Sequence, residues 1–123
     1  MAPLAALALG CGQASSAGSG TPAPELARRI AEGGAPLVLD VRSAGEFASG
    51  HVPGARNVPV DELPARLREL EGARDEEVVV SCERGPRAER ARDLLREAGF
   101  RDVRRLEGDM SGWRSERLPC EGC

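Results

Sequence analysis

A cysteine thiolate is a strong nucleophile, and its reactivity depends on how readily the thiol gives up its proton. Cys82 opens the segment Cys82-Glu83-Arg84-Gly85-Pro86-Arg87, which joins the β-prone run Val78-Val79-Val80-Ser81 to a strongly helical stretch. A cysteine in that position lies at the mouth of a helix N-terminus, where the first backbone N–H groups lack intrahelical acceptors. Those donors and the helix dipole favour a thiolate. Gly85 permits backbone angles closed to other residues, so successive N–H groups can curl round one anion. Pro86 suits the first helical turn, where its missing N–H is no loss. Arg84 and Arg87 add cationic character for an oxyanion. An inert, buried cysteine at a strand end is the plainer reading, but it accounts for neither the Gly-Pro step nor the flanking arginines.

Other residues with chemical potential are scattered. Asp40 ends a short apolar run and is read as a structural group touching the site, with capping of the helix near Ser43 as the alternative. Arg42 and Glu46 stand at helical spacing and are expected to pair, with little effect on stability if exposed. The four cysteines, Cys11, Cys82, Cys120 and Cys123, are too unevenly placed for a disulfide framework. The terminal Cys120-Glu121-Gly122-Cys123 fits a redox pair, half a zinc site, or an unattached tail. Without a βαβ context or a second Cys pair, the tail is the expectation. In an oxidising compartment the two thiols could close a local disulfide.

Elements that would position these residues alternate along the chain. Helices are predicted over 25–32, ending at Gly33-Gly34, and over 43–49, 61–70, 86–98 and 110–114; strands over 37–41, 55–58, 78–81 and 103–106. Such alternation with short connections means a parallel α/β sheet with helices on both faces. Ligands bind such sheets beyond the carboxyl ends of the strands, where Asp40 and Cys82 fall. The folded unit is placed at 24–119, preceded by 1–23 and followed by the CxxC tail at 120–123.

The chain has 123 residues, enough for one ordinary domain, with 41% hydrophobic and 30% charged residues. Its net charge of -3 argues against nucleic acid as a partner. All 17 basic residues are arginine.

The stretch Val38-Leu39-Asp40-Val41-Arg42, then Glu46-Phe47, then Gly50-His51-Val52-Pro53-Gly54-Ala55-Arg56-Asn57, resembles the signature of the rhodanese family. Cys82 to Arg87 is similar to that family's C-x-x-G-x-R loop, and Gly108-Asp109-Met110 with Trp113 to its G-G-M-x-x-W element. The resemblance covers roughly residues 24–119 and implies a single α/β domain with a central five-stranded, mostly parallel sheet. It further implies a thiosulfate sulfurtransferase without metal or cofactor. Cys82 would be the nucleophile, carrying sulfane sulfur as a persulfide, with Glu83 to Arg87 as the substrate-binding loop and Asp40 and Arg42 in support. The partners would be a small sulfur donor such as thiosulfate and a cyanide, thiol or protein acceptor, and the chain is expected to be a monomer. In the family the position of His51 supports the fold, and Trp113 reads as core. Three residues depart from the pattern: Glu83 sets an anion beside the nucleophile, Ala88 stands where a hydroxyl residue is common, and Asp109 replaces a glycine.

The same loop admits competing functions. Phosphatases and arsenate reductases of this fold use five residues between Cys and Arg, and here four separate Cys82 from Arg87. The shorter loop suits a sulfur atom better than a phosphoryl group. A non-catalytic binding module is the third reading, disfavoured by the intact cysteine loop. Met1 to Gly10, followed by Cys11 and a Gly/Ser/Pro-rich stretch, resembles the end of a bacterial lipoprotein signal peptide. That implies lipidation of Cys11, a flexible tether, and an extracytoplasmic, membrane-anchored location.

Overall fold

The computed structural model describes residues 20–123; Cys11 and the apolar stretch before it lie outside the described residues. Four strands form one parallel sheet in the order β2-β1-β3-β4: β1 is Leu37–Asp40, β2 Arg56–Asn57, β3 Glu77–Ser81 and β4 Asp102–Arg105. The helices are α1 Ala23–Ala31, α2 Ala44–Ala48, α3 Leu63–Arg66, α4 Pro86–Glu97 and α5 Asp109–Ser115, with 3-10 turns at Val60–Glu62 and Leu67–Ala73 flanking α3.

The apolar runs of β1 and β3 send successive side chains to opposite faces, and each face meets its own helices. Leu39, Val78 and Val80 pack with Leu63, Leu70, Ala88, Ala91, Leu95 and Phe100, which belong to α3, α4 and the neighbouring turns. Val38 and Val79 point the other way, onto Ala23 and Leu26 of α1 and Met110 and Trp113 of α5. Both central strands are therefore covered on both sides, as their unbroken hydrophobicity demands.

Two expectations fail for reasons of backbone chemistry. Among the described residues the sheet has four strands where five were expected. At the β4 edge the chain contributes a single parallel bridge, Thr21 to Leu106, in which the Thr21 N–H donates to Arg105 O at 2.7 Å and Thr21 O accepts from Glu107 N–H at 2.9 Å. Pro22 and Pro24 follow at once; neither can donate to a ladder, and the chain turns into α1 instead. The helix expected over 61–70 is broken into 3-10, α and 3-10 pieces. Pro64 removes one ladder donor there and Gly72 weakens the far end.

Register brings the chemistry to one edge. Asp40 of β1 lies beside Ser81 of β3, so both strands end at the same level and Cys82 emerges one residue later. The short α2 is held there by its termini. Ser43 Oγ accepts from Glu46 N–H at 3.2 Å while Glu46 Oε1 accepts from Ser43 N–H at 3.0 Å, a reciprocal cap. The same carboxylate receives Arg87 of α4 through two hydrogen bonds of 2.7 and 3.1 Å, tying α2 to α4.

Arg87, with help from the Ser43 amide, draws the Glu46 carboxyl down from 4.5 to about 2. A carboxyl depressed on folding stabilises the fold above its ordinary range, and that contribution is lost as pH falls from 4.5 through about 2. Glu46→Gln, which keeps a capping acceptor, should lower stability near neutral pH by at most about 1 kcal/mol, because the pair is more than a third exposed. Urea unfolding should show the gap to wild type closing as pH approaches about 2; a gap that widens on acidification would contradict this ion pair.

Candidate active site

β3 delivers Cys82 to the sheet edge and α4 begins at Pro86, so residues 82–85 make the whole turn. The reversal requires φ +129° at Gly85, a conformation that side chains rarely allow. As a result the Gly85 N–H donates to Cys82 Sγ at 3.0 Å. Arg87 and Ala88 follow at the second and third positions of α4, where backbone N–H groups have no acceptor within the helix. Cys82 is a free cysteine with 0% of its surface exposed. Burial alone would fit an inert core thiol, but the Gly85 amide aimed at the sulfur from the mouth of a helix adds a donor that core packing does not require.

The opposite wall of the loop comes from α5. Met110 N–H donates to Cys82 O at 3.0 Å and Ser111 N–H to Glu83 O at 3.1 Å. Asp109 Oδ1 accepts the Cys82 N–H at 3.0 Å, and its Oδ2 takes Arg105 Nη2 at 3.4 Å. Burial pushes the Asp109 carboxyl upward, and the Cys82 amide and Arg105 oppose that shift. Sequence reasoning noted Asp109 only as a departure from glycine and missed this contact. The glycine-like position is borne out by the backbone: Asp109 has φ +52°, a left-handed conformation that suits glycine and that Asp or Asn tolerates better than most.

The charged residues pair differently from expectation. Asp40 does not cap α2, because Ser43 does. Its carboxylate instead holds Arg42, accepting from the Arg42 amide at 3.0 Å, from Nε at 3.0 Å and from Nη2 at 2.7 Å. Arg42, 1% exposed, reaches on to Gly50 O at 2.8 Å and to Glu83 at 3.4 Å. The expected Arg42–Glu46 pair is absent among the described residues, since Arg42 precedes the N-cap and Glu46 faces Arg87. Glu83 is turned away from the sulfur onto Arg114, with contacts of 2.6 and 3.1 Å that hold its carboxyl below the usual range. Its charge is thus met by cations rather than left to oppose an anionic substrate. Of the two loop arginines, Arg87 is engaged by Glu46, while Arg84 is exposed and forms no ion pair among the described residues. Pro86 occupies the first position of α4 and faces solvent.

His51 stacks on Phe47 with ring centroids 3.7 Å apart. Its Nδ1 donates to Phe47 O at 2.7 Å and its Nε2 lies 3.4 Å from Glu121 Oε1. Neither contact is to Cys82, and the ring braces the turn after α2. The terminal CxxC is not an unattached tail: Cys120 and Cys123 are joined in a disulfide, and Glu121 pairs with His51. Asp109→Ala would leave the buried Cys82 N–H without its acceptor and should cost about 1–3 kcal/mol in urea unfolding. Asp109→Asn retains an acceptor and should cost less than about 1 kcal/mol; equal losses for the two variants would rule out the hydrogen bond as Asp109's contribution.

Comparison with known proteins agrees with this geometry. The family model described as the rhodanese-like domain matches residues 22–116. An HTH-type transcriptional regulator of Mycobacterium tuberculosis is 44% identical over 100 residues, which cover 79% of this chain and 42% of the regulator. The chain thus spans less than half the length of that relative. The human thiosulfate:glutathione sulfurtransferase is 38% identical over 102 residues, covering 73% of this chain and 88% of the human protein. The crystal structure of a rhodanese-related protein from Thermoplasma volcanium superposes with a TM-score of 0.74 at 30% identity, over 85% of this chain and 99% of that one. With the family model matched across the sheet, the cysteine loop and α5, this chain belongs to the rhodanese-like domain family.

Proposed function

We propose that the chain is a sulfurtransferase that carries sulfane sulfur as a persulfide on Cys82. The observation that carries this reading is the Gly85 N–H directed at Cys82 Sγ at 3.0 Å, at the start of α4. The Cys82 thiolate attacks the outer sulfur of thiosulfate; the sulfur–sulfur bond breaks and sulfite leaves with the bonding pair. The resulting Cys82 persulfide anion is held by the loop amides. A thiol or cyanide then attacks the outer sulfur, departs as a persulfide or thiocyanate, and restores the thiolate. The sequence balances as two displacements at sulfur without any cofactor. Thiosulfate and a thiol are the preferred donor and acceptor classes, in keeping with the name of the human relative.

A second reading draws on the 44% identity to part of a transcriptional regulator. There the same loop would serve as a sensor, holding sulfur without rapid turnover. Both readings share the first half-reaction and differ in the second. Treatment with thiosulfate should add the mass of one sulfur atom to the intact protein, on Cys82 and removable by cyanide, and Cys82→Ser should abolish it. A Cys82→Ser variant with full sulfurtransferase activity would falsify the mechanism. A persulfide that forms but resists both thiols and cyanide would favour the sensor.

We also propose that Cys11 is a lipidation site and that residues after it tether the domain to a membrane outside the cytoplasm, on the sequence pattern alone. Expressed in a bacterial host behind a complete signal sequence, the chain should incorporate labelled fatty acid and sediment with membranes. Cys11→Ser should release it. Unlabelled protein recovered wholly in the cytosol would sink the idea.

A further inference from the structure

Residues 117–123 lie beyond the matched family region, yet they are built into the fold. Trp113 Nε1 donates to Pro119 O at 2.9 Å, and Leu118 and Cys120 pack against the Trp113 side of the core. Glu121 then forms an antiparallel bridge with His51: the His51 N–H donates to Glu121 O, and the Glu121 N–H to His51 O, each at 2.9 Å. Its side chain bends back so that Oε1 accepts the Gly54 N–H at 3.0 Å. Glu121, followed by Gly122, thus holds both ends of the turn 51–54.

The Cys120–Cys123 disulfide encloses that dipeptide, and its seat is shaped for it. A Cβ added to Gly50 would stand 2.7 Å from Cys123 Sγ, and one added to Gly122 would stand 2.9 Å from Ala48 O. Gly122 also has φ +81°, the reversal that brings Cys123 back toward Cys120. The seat connects to the candidate site through one residue, since Gly50 O is an acceptor for the buried Arg42, which in turn contacts Glu83 beside Cys82. Cys123 is exposed while Cys120 is half-buried, so an external thiolate meets Cys123 first.

We propose that Cys120–Cys123 is a second reactive site, a thiol–disulfide exchange centre for small thiols or dithiols, whose oxidised form clips the tail onto the turn 50–54 and whose reduction releases it. In the first step the external thiolate attacks Cys123 Sγ, the bond to Cys120 breaks, and Cys120 leaves as a thiolate that takes up a proton. A second thiol attacks the outer sulfur of the mixed disulfide, freeing Cys123. Two external thiols are oxidised to a disulfide and the pair gains their two electrons. Once open, Cys123 no longer closes over Gly50, and the Glu121–His51 bridge loses the ring that preorganised it. The proposal does not rest on sulfur transfer, and its test does not read it.

The test is amide hydrogen exchange on the full chain, air-oxidised and after dithiothreitol, with iodoacetamide trapping to count free thiols. Oxidised protein should leave Cys120 and Cys123 unalkylated and protect the amides of His51, Gly54 and Glu121. Reduction should speed exchange at those three by about tenfold or more, with the amides of β3 unchanged. A Cys120→Ser, Cys123→Ser double variant should match the reduced protein without any reductant; if it fails to fold, the comparison of the two wild-type states still decides. Free alkylatable Cys120 and Cys123 in the air-oxidised protein would overturn the proposal. So would equal protection of His51 and Gly54 in both redox states.

Discussion

A guanidinium with 1% of its surface exposed must find an acceptor for its buried donors, and the site end of this fold is arranged round that demand. Arg42 follows β1 directly and is answered by Asp40 within the same turn, by the Gly50 carbonyl from the end of α2, and by Glu83 from the cysteine loop. Three segments, one of them 41 residues away, are fixed to one planar group. A buried ion pair of this kind adds little net stability over an apolar replacement, but removing one partner typically costs about 3–5 kcal/mol. Its contribution is geometric: the β1 end, the turn at 50–54 and the loop beside Cys82 cannot shift independently.

The charge pattern round Cys82 follows from the same economy of pairing. Arg42 meets Asp40, Arg87 meets Glu46, Arg105 meets Asp109 and Arg114 meets Glu83. Arg84 is left over, exposed at the rim of the loop. The side-chain charges there are nearly compensated, Arg84 being the exposed cation without an ion pair among the described residues, and the backbone amides at the start of α4 supply positive potential that no carboxylate cancels. Glu83 is compatible with such a site because its carboxylate serves Arg114 and Arg42 instead of facing the sulfur.

Much of this was legible in the sequence because local and tertiary preferences agree. Val78-Val79-Val80 is a β-branched run of strand length, Gly85-Pro86 suits a turn into a helix, and together they place Cys82. What escaped reading involves contacts between elements. The Arg42–Glu46 spacing suggested a helical pair, but spacing rules hold only within a helix, and the cap at Ser43 leaves Arg42 outside it. Asp109 looked like a lost glycine until the fold brought it against the Cys82 amide. That the described chain makes only a bridge at the β4 edge was foreshadowed by Pro22 and Pro24, whereas the docking of the tail on His51 depends on a backbone bridge that side-chain identity does not encode.

The sheet order has a consequence for how the chain comes to be folded at all. β1 lies between β2 and β3, but β2 covers only Leu39 and Asp40, and β3 does not begin until Glu77. In a chain that emerges N-terminus first, β1 is complete long before its principal neighbour exists. Through that interval its apolar residues and one row of backbone groups stand unpaired, the condition that invites association between nascent chains. The parallel pairings of Leu37 with Val78 and of Val78 with Val103 join residues separated by helix-bearing crossovers, so the sheet can be completed only after most of the domain is available. The Cys82 amide likewise has no acceptor until Asp109, 27 residues further on, is in place.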